Sequence, residues 1–311
     1  MARATLPASP FNPHDFAVAP RHYLFFQPAA SLSLARYVLG MAGPAQCVSI
    51  DGAAPSAVHV VPRGASHPPR ARAVALAADP VFLVHHAHAW EDAATGEVVV
   101  WSTGWGPEAL APPPPGGMLG SWKVVLDGDF DGIPYTSLWE HRVHVEAGTV
   151  ARRALFDARA MEHAKTNPRL ATRRPRHVHF TAAAGGAPGK AAPPQAFASL
   201  DTETGVAAFF EPGPRCFTEE IVFVPGPAGA ADELDGHLLA MVFDAATATS
   251  ALYILDARDV AAGPVAVVRL SHHVPHGLHG DCATKCLSTG ELGGGGGGFG
   301  GGRLRVWFGV N

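Results

Sequence analysis

Charge is scarce in this sequence. Asp, Glu, Lys and Arg make up only 16% of its 311 residues, and the formal net charge is −4. Without a basic excess there is no electrostatic footprint for nucleic acid or for an anionic surface. No stretch reaches the ~20 apolar residues of a membrane-spanning helix, although peripheral association with a membrane stays open. The N-terminal Met1-Ala2-Arg3-Ala4-Thr5-Leu6-Pro7 has no apolar signal core, so targeting is not legible. Four cysteines, Cys47, Cys216, Cys282 and Cys286, form no disulfide framework. A reducing compartment, cytosol or plastid, is therefore expected. Cys282-x3-Cys286 has no second pair to complete a zinc site and reads as two ordinary thiols. Helical periodicity is weak, residues 156–165 being its best candidate. No repeat of ~40 residues carries a Trp-Asp or Gly-His signature, which disfavours an interaction propeller of the repeat type.

Apolar residues, by contrast, make up 47% of the chain, ample for a core, and 35 glycines with 28 prolines imply many turns. Short β-branched and aromatic runs recur between those turns, at residues 23–26, 58–61, 81–84, 98–101, 138–145, 206–210, 221–224, 238–243, 251–255 and 265–270. Their lengths and borders read as strands. Within 138–145, Trp139, His141, Val143 and Val145 share one face. Many strands without intervening helices predict an all-β sandwich, barrel or propeller. A propeller suits scattered functional residues best, because its inner strands all face one axis. Residues 112–117, a proline run ending in two glycines, read as a stiff hinge. Nine of the ten residues 293–302 are glycine, which cannot offset the entropy of ordering. Residues 1–281 are therefore expected to form the folded unit and 282–311 a glycine-rich tail outside it.

Histidine is the outlier, at 17 residues. Neutral imidazole is a strong ligand for first-row transition metals. His14 precedes an apolar run, where a satisfied core histidine is as natural a reading as a ligand. On a regular strand His86 and His88 share one face and His85 takes the other, so one ligand from this trio is expected. His276 and His279 flank Gly277, where the backbone can turn side chains inward. Glu162 and Glu220, taken alone, read as solvated surface carboxylates. From residue types alone a metal centre and a set of unconnected histidines both stay open.

The contexts of these residues resemble the carotenoid cleavage oxygenases, the family that includes the retinoid isomerase of the visual cycle. His14-Asp15-Phe16-Ala17 is similar to its His-Asp-Phe-Ala box, and Val84-His85-His86-Ala87-His88-Ala89-Trp90-Glu91 to its Phe-His-x-x-Asn-Ala-Trp/Tyr-Glu box. Glu220-Ile221-Val222-Phe223-Val224-Pro225 resembles its Glu-Pro-x-Phe-Val-Pro segment. Asp235-Gly236-His237-Leu238-Leu239 through Leu255-Asp256-Ala257-Arg258-Asp259 follows its Asp-Gly-Tyr-Leu-Leu to Leu-Asp-Ala-Arg-Asp run. Val274-Pro275-His276-Gly277-Leu278-His279-Gly280 is similar to its closing box. Five boxes in order, from residue 12 to 280, carry the resemblance.

The resemblance implies a seven-bladed β-propeller holding iron(II) on its axis through four histidines. His14, His85 and His279 fall on the second, third and fourth ligand positions. Glu162 and Glu220 fall on glutamates that hydrogen-bond ligand imidazoles, a contact that fixes the tautomer and raises ligand basicity. The implied activity is an Fe(II)-dependent dioxygenase that uses O2 to split one double bond of a carotenoid or apocarotenoid into two carbonyl products. Phe16, Phe25, Phe26, Trp90 and Trp105 are candidate tunnel residues. The chain departs from the pattern in several places. The first-ligand region lies upstream of the matched boxes, so the chain reads as the C-terminal portion of such a propeller, lacking N-terminal blades. His88 stands for Asn, His163-Ala164 for Phe-Pro and His276 for Tyr, making His88 and His276 candidate substitute ligands. The competing expectation is a catalytically inactive fragment that binds apocarotenoid or pairs with a partner through exposed strand edges.

Overall fold

Strands account for nearly all regular structure in the computed structural model, which describes residues 13–43, 47–63, 73–110, 130, 134–185, 191–227, 232–277, 279–283 and 305–309. The first sheet starts with β1 (Ala17–Val18) and β2 (His22–Gln27). A small hairpin of β3 (Ala30–Leu32) and β4 (Val48–Ile50) follows, before β5 (Ser56–Pro62) and β6 (Val74–Ala78) complete that sheet. The second is built from β7 (Phe82–Glu91), β8 (Val98–Trp105), β9 (Ser137–His144) and β10 (Thr149–Phe156). The third contains β11 (Met161–Lys165), β12 (His177–Ala183), β13 (Pro194–Asp201) and β14 (Val206–Phe210). The fourth takes β15 (Cys216–Thr218), β16 (Val222–Pro225), β17 (Gly236–Asp244), β18 (Thr249–Asp256) and β19 (Pro264–Arg269). Every ladder is antiparallel between neighbours in sequence or nearly so. These are successive blades of a β-propeller. Among the described residues, no helix is long and apolar enough to cross a membrane.

The blades pack face to face, and the alternation of side chains along a strand explains how. In β8, Val98 and Val100 point into the core shared with the first sheet, while Val99 and Trp101 enter the core shared with the third. A third core joins Phe197 of β13 to Leu238, Ala240 and Val242 of β17. Burial on both faces is why these strands read as unbroken apolar runs rather than alternating ones.

Several hairpins use one device. Asp92, Asp201 and Asp244 each accept a hydrogen bond from the backbone N–H two residues on. Gly96 (φ 73°) and Gly205 (φ 72°) then reverse the chain in the left-handed region, a role taken by Ala248 (φ 53°) in the third case.

Two expectations are corrected. Residues 156–165 form no helix: they end β10 and make up β11, where Phe156, Met161 and Ala164 are buried in the core between the second and third sheets. Tertiary pairing there outweighs a weak helical preference. The chain also does not leave the fold for good after residue 281. Strand β20 (His279–Ala283) pairs with β21 (Arg305–Gly309), so residues 305–309 return to the segment that carries His279. The expected hinge at 112–117, the glycine run and Cys286 lie outside the described residues.

One polar cluster sits deep between the first two sheets. Phe26 contacts the rings of His86 and His141 at 5.3 and 4.9 Å. His86 is held by Ser102 Oγ at 2.7 Å, whereas neither ring nitrogen of His141 has a partner among the described residues. Burial, aided by His86 and Arg152, pushes the His141 pKa down to about 3, so this ring stays neutral when folded. Its contribution to stability is full above the ordinary histidine value of 6.5 and is lost as pH falls through 6.5 toward about 3. We expect His141→Leu to shift the unfolding free energy in the variant's favour by about 2 kcal/mol between pH 7.5 and pH 5. Urea denaturation of both proteins at the two pH values measures this; an unchanged difference would refute it.

Candidate metal centre

The inner strands of successive blades bring the candidate residues together. Asp15 anchors the segment before β1, because its carboxylate accepts from the backbone N–H of His86 in β7 at 2.8 Å and of Phe16 at 2.7 Å. His14 is thereby held beside His85. Ring centres lie 5.2 Å apart for His14 and His85, 5.0 Å for His85 and His279, and 6.3 Å for His14 and His279. One nitrogen from each of the three lies within 4.8 Å of the others. Imidazoles sharing a first-row ion, each nitrogen about 2.1 Å from it, place their ring centres roughly 4.5–6.5 Å apart. The three separations fit one common ion.

Two bulges decide which histidine of β7 takes part. The register with β8 slips between Leu83 and His85 and again between His86 and His88. His85 therefore pairs with Thr103 and His88 with Trp101, both facing the third blade, while His86 pairs with Ser102 and faces the first. The alternation expected of a regular strand, His86 with His88 and His85 opposite, is overturned by this extra residue.

His85 is the most fully specified of the candidate ligands. Its Nδ1 lies 2.8 Å from Glu162 Oε2. Burial would push the Glu162 carboxyl up, but the hydrogen bond and charge of His85, with His163 and Thr103, hold it below the usual carboxylate range. An ionised carboxylate only accepts, so His85 donates from Nδ1 and keeps its lone pair on Nε2. That Nε2 is buried and without a hydrogen-bond partner among the described residues. A metal ion would satisfy a ring nitrogen in that state. Burial works to lower the His85 pKa, yet Glu162 and Asp15 raise it on balance. The donor set and this orphaned nitrogen together fit a transition-metal site.

Glu162 is itself fixed from two further directions. Thr103 Oγ1 donates to Oε1 at 2.6 Å and the backbone N–H of His163 to Oε2 at 2.6 Å. Glu220, only 3% exposed, accepts from the Gly280 N–H at 2.6 Å and pairs with Lys165 Nζ at 2.7 Å. Its other partner, His279 Nδ1, is 3.4 Å away. Burial raises Glu220, but Lys165 overcomes it and leaves the carboxyl low; its neighbour Glu219, without such a cation, is pushed up to about 7 by burial. Adjacent glutamates are thus tuned in opposite directions.

The expected substitutes do not join the cluster. His88 uses both nitrogens, donating from Nε2 to the Arg173 carbonyl at 2.7 Å and accepting at Nδ1 from Thr166 at 2.8 Å. His276 faces Glu219 at 3.4 Å. The imidazole that does adjoin the site is His163, whose ring centre is 5.6 Å from that of His85 and 6.2 Å from that of His279. Burial holds its pKa below the ordinary value against the charges of Glu162 and Glu220. Thr103 and Lys165 were not singled out in the sequence, and His163 and Asp15 entered only through the family boxes, His163 as a departure from them and neither as a candidate ligand or anchor. Of the candidate tunnel residues, Phe26 and Trp90 are core, Trp105 donates to the Pro134 carbonyl, and Phe16 stacks on Phe25 at 5.2 Å, two residues from His14.

Residues 2–282 match the family described as retinal pigment epithelial membrane protein. The chain is 31% identical over 275 residues to the apocarotenoid-15,15'-oxygenase of Synechocystis, covering 87% of this chain and 51% of that protein. It is 29% identical to a carotenoid 9,10(9',10')-cleavage dioxygenase of Crocus sativus, covering 88% and 48%. The crystal structure of cobalt-substituted Synechocystis apocarotenoid oxygenase superposes with a TM-score of 0.72 at 28% identity, over 86% of this chain and 52% of that one. This chain therefore spans about half the length of the relatives it matches.

Because Thr103 is fully buried and its hydroxyl meets an ionised Glu162, Thr103→Val leaves one carboxylate oxygen without its donor at nearly constant volume. The expected loss is about 1–3 kcal/mol of unfolding free energy, read by chemical denaturation; a neutral substitution would show that this bond does not hold the site.

Proposed function

The chain belongs to the carotenoid cleavage oxygenase family, and on that premise we propose that it holds iron(II) through His14, His85 and His279 in a dioxygenase acting on carotenoids or apocarotenoids. In the overall reaction one polyene C=C and one O2 give two C=O products, so atoms balance without a further reductant. The observation that carries the reading is the convergence of the three imidazoles around the orphaned Nε2 of His85, whose other nitrogen is committed to Glu162. Imidazole suits several first-row ions; iron is chosen by family membership rather than by the donors alone. Bound there, iron(II) supplies the O2 chemistry that side chains lack.

The protein's own share is positioning. Glu162 holds His85 in one tautomer and makes it a better donor, and Glu220, oriented by Lys165 and the Gly280 N–H, stands 3.4 Å from His279 Nδ1, where a small shift of the ring would give it the same role. Neutral imidazoles add no anionic charge to compensate the metal. Phe16 stacked on Phe25 forms an aromatic surface near His14, suited to the flat apolar body of a polyene.

A second reading draws support from one observation: His14 and His279 are solvent-exposed, His279 with 52% of its side chain accessible. It is a protein that binds apocarotenoid or pairs with another chain without turnover.

Anaerobic loading of the full chain with Fe(II), followed by incubation with an apocarotenal in air, separates these readings. About one iron per chain and aldehyde products detected by chromatography and mass spectrometry are expected. Glu162→Gln should weaken iron binding by about 10–100-fold. Iron retained without cleavage of any polyene favours the second reading; no iron retention sinks both the metal site and the enzyme.

A further inference from the structure

We propose that His163 is a metal ligand, completing with His14, His85 and His279 a set of four imidazoles drawn from this chain alone. The inference rests on the metal-binding reading above and adds a residue to it. Three independent features of the structure support it.

Placement comes first. The His163 ring is 5.6 Å from that of His85 and 6.2 Å from that of His279, within the 5.0–6.3 Å span of the other three rings. One of its nitrogens lies within 4.8 Å of ligand atoms on His85 and Glu162, a group that overlaps the His14, His85 and His279 cluster at His85 alone, so a common ion requires the His163 ring to move toward His14 and His279.

The second feature is chemical. Nδ1 of His163 is buried and has no hydrogen-bond partner among the described residues. Leaving a buried ring nitrogen unpaired costs free energy. His85 Nε2 is in the same condition, so two orphaned imidazole nitrogens occur on neighbouring rings. A shared cation satisfies both, whereas a hydrogen bond between the two rings would satisfy them only if one carried the proton.

The third is the backbone. In a regular strand Glu162 and His163 would point to opposite faces. Strand β11 instead carries an extra residue between Glu162 and Lys165, and His163 sits in it with φ at 57°. A non-glycine residue in this region is strained by about 1–2 kcal/mol. The conformation is held by the His163 N–H donating to Glu162 Oε2, and it turns the imidazole to the same side as that carboxylate. Thus one glutamate positions two imidazoles, His85 through its ring and His163 through its backbone.

Cobalt(II) serves as the spectroscopic probe in the full 311-residue chain. Wild type is expected to bind one Co(II) with four imidazoles by X-ray absorption. His163→Phe, which restores the residue of the resembling box, is expected to lose one of the four and to weaken Co(II) binding by at least about tenfold in a competition titration. His163→Cys places a thiolate at the same position, and its cobalt complex should gain a sulfur-to-cobalt charge-transfer band that the other two proteins lack. Far-UV circular dichroism establishes that each variant is folded. A His163→Phe protein with wild-type affinity and imidazole count overturns the proposal, as does a folded His163→Cys complex without the band. In either case Co(II) bound by wild type leaves the three-histidine reading standing; a wild type that takes up no Co(II) removes both.

Discussion

The ionised carboxylate of Glu162 is the interaction on which the site depends. It gathers Thr103 from β8, the ring of His85 from β7 and the backbone of His163 from its own strand. Two blades are therefore joined through one side chain. Partly buried carboxylates are costly unless their oxygens are satisfied, and here both are. The same bonds that keep Glu162 charged orient His85, so stability and ligand geometry are one problem with one solution. Loosening the carboxylate would free the imidazole to rotate.

Bulges make that arrangement possible. A two-residue period allows only every other side chain to face the axis, which limits a short inner strand to very few functional groups. The irregularities in β7 and β11 break the period where the site needs it. In β7 they send His86 into the first core and leave His85 and His88 on the opposite face. In β11 one brings Glu162 and His163 to the same side. A bulge costs a ladder hydrogen bond and local strain, and it gives a re-aimed side chain in return.

This also explains which parts were legible in the sequence. Runs such as 98–101 and 238–243 were legible because burial on both faces leaves an unbroken apolar signature. Strand β11 was not, since Met161-Glu162-His163-Ala164-Lys165 has neither alternation nor β-branched residues; only its pairing with β12 defines it. A one-residue insertion leaves no trace in a hydrophobic pattern, so His86 rather than His85 was grouped with His88 on one face. Glu162 and Glu220 stood out only through the family boxes, because a lone glutamate carries no sign of burial.

The candidate ligands differ in how firmly they are held, and the difference has a direction. His85 is locked by Glu162 before any ion arrives. On the other side Glu220 is the preorganised partner: Lys165 and the Gly280 N–H fix its carboxylate, while the His279 ring remains half exposed and 3.4 Å away. The position of His279 depends on β20, which has β21 as its ladder partner. Order in that final pairing and order in the ligand set are therefore coupled. An ion bound through His279 would favour the paired state of β20 and β21 to the extent that this pairing sets the position of the ring, because a ligand stabilises whichever conformation it binds more tightly.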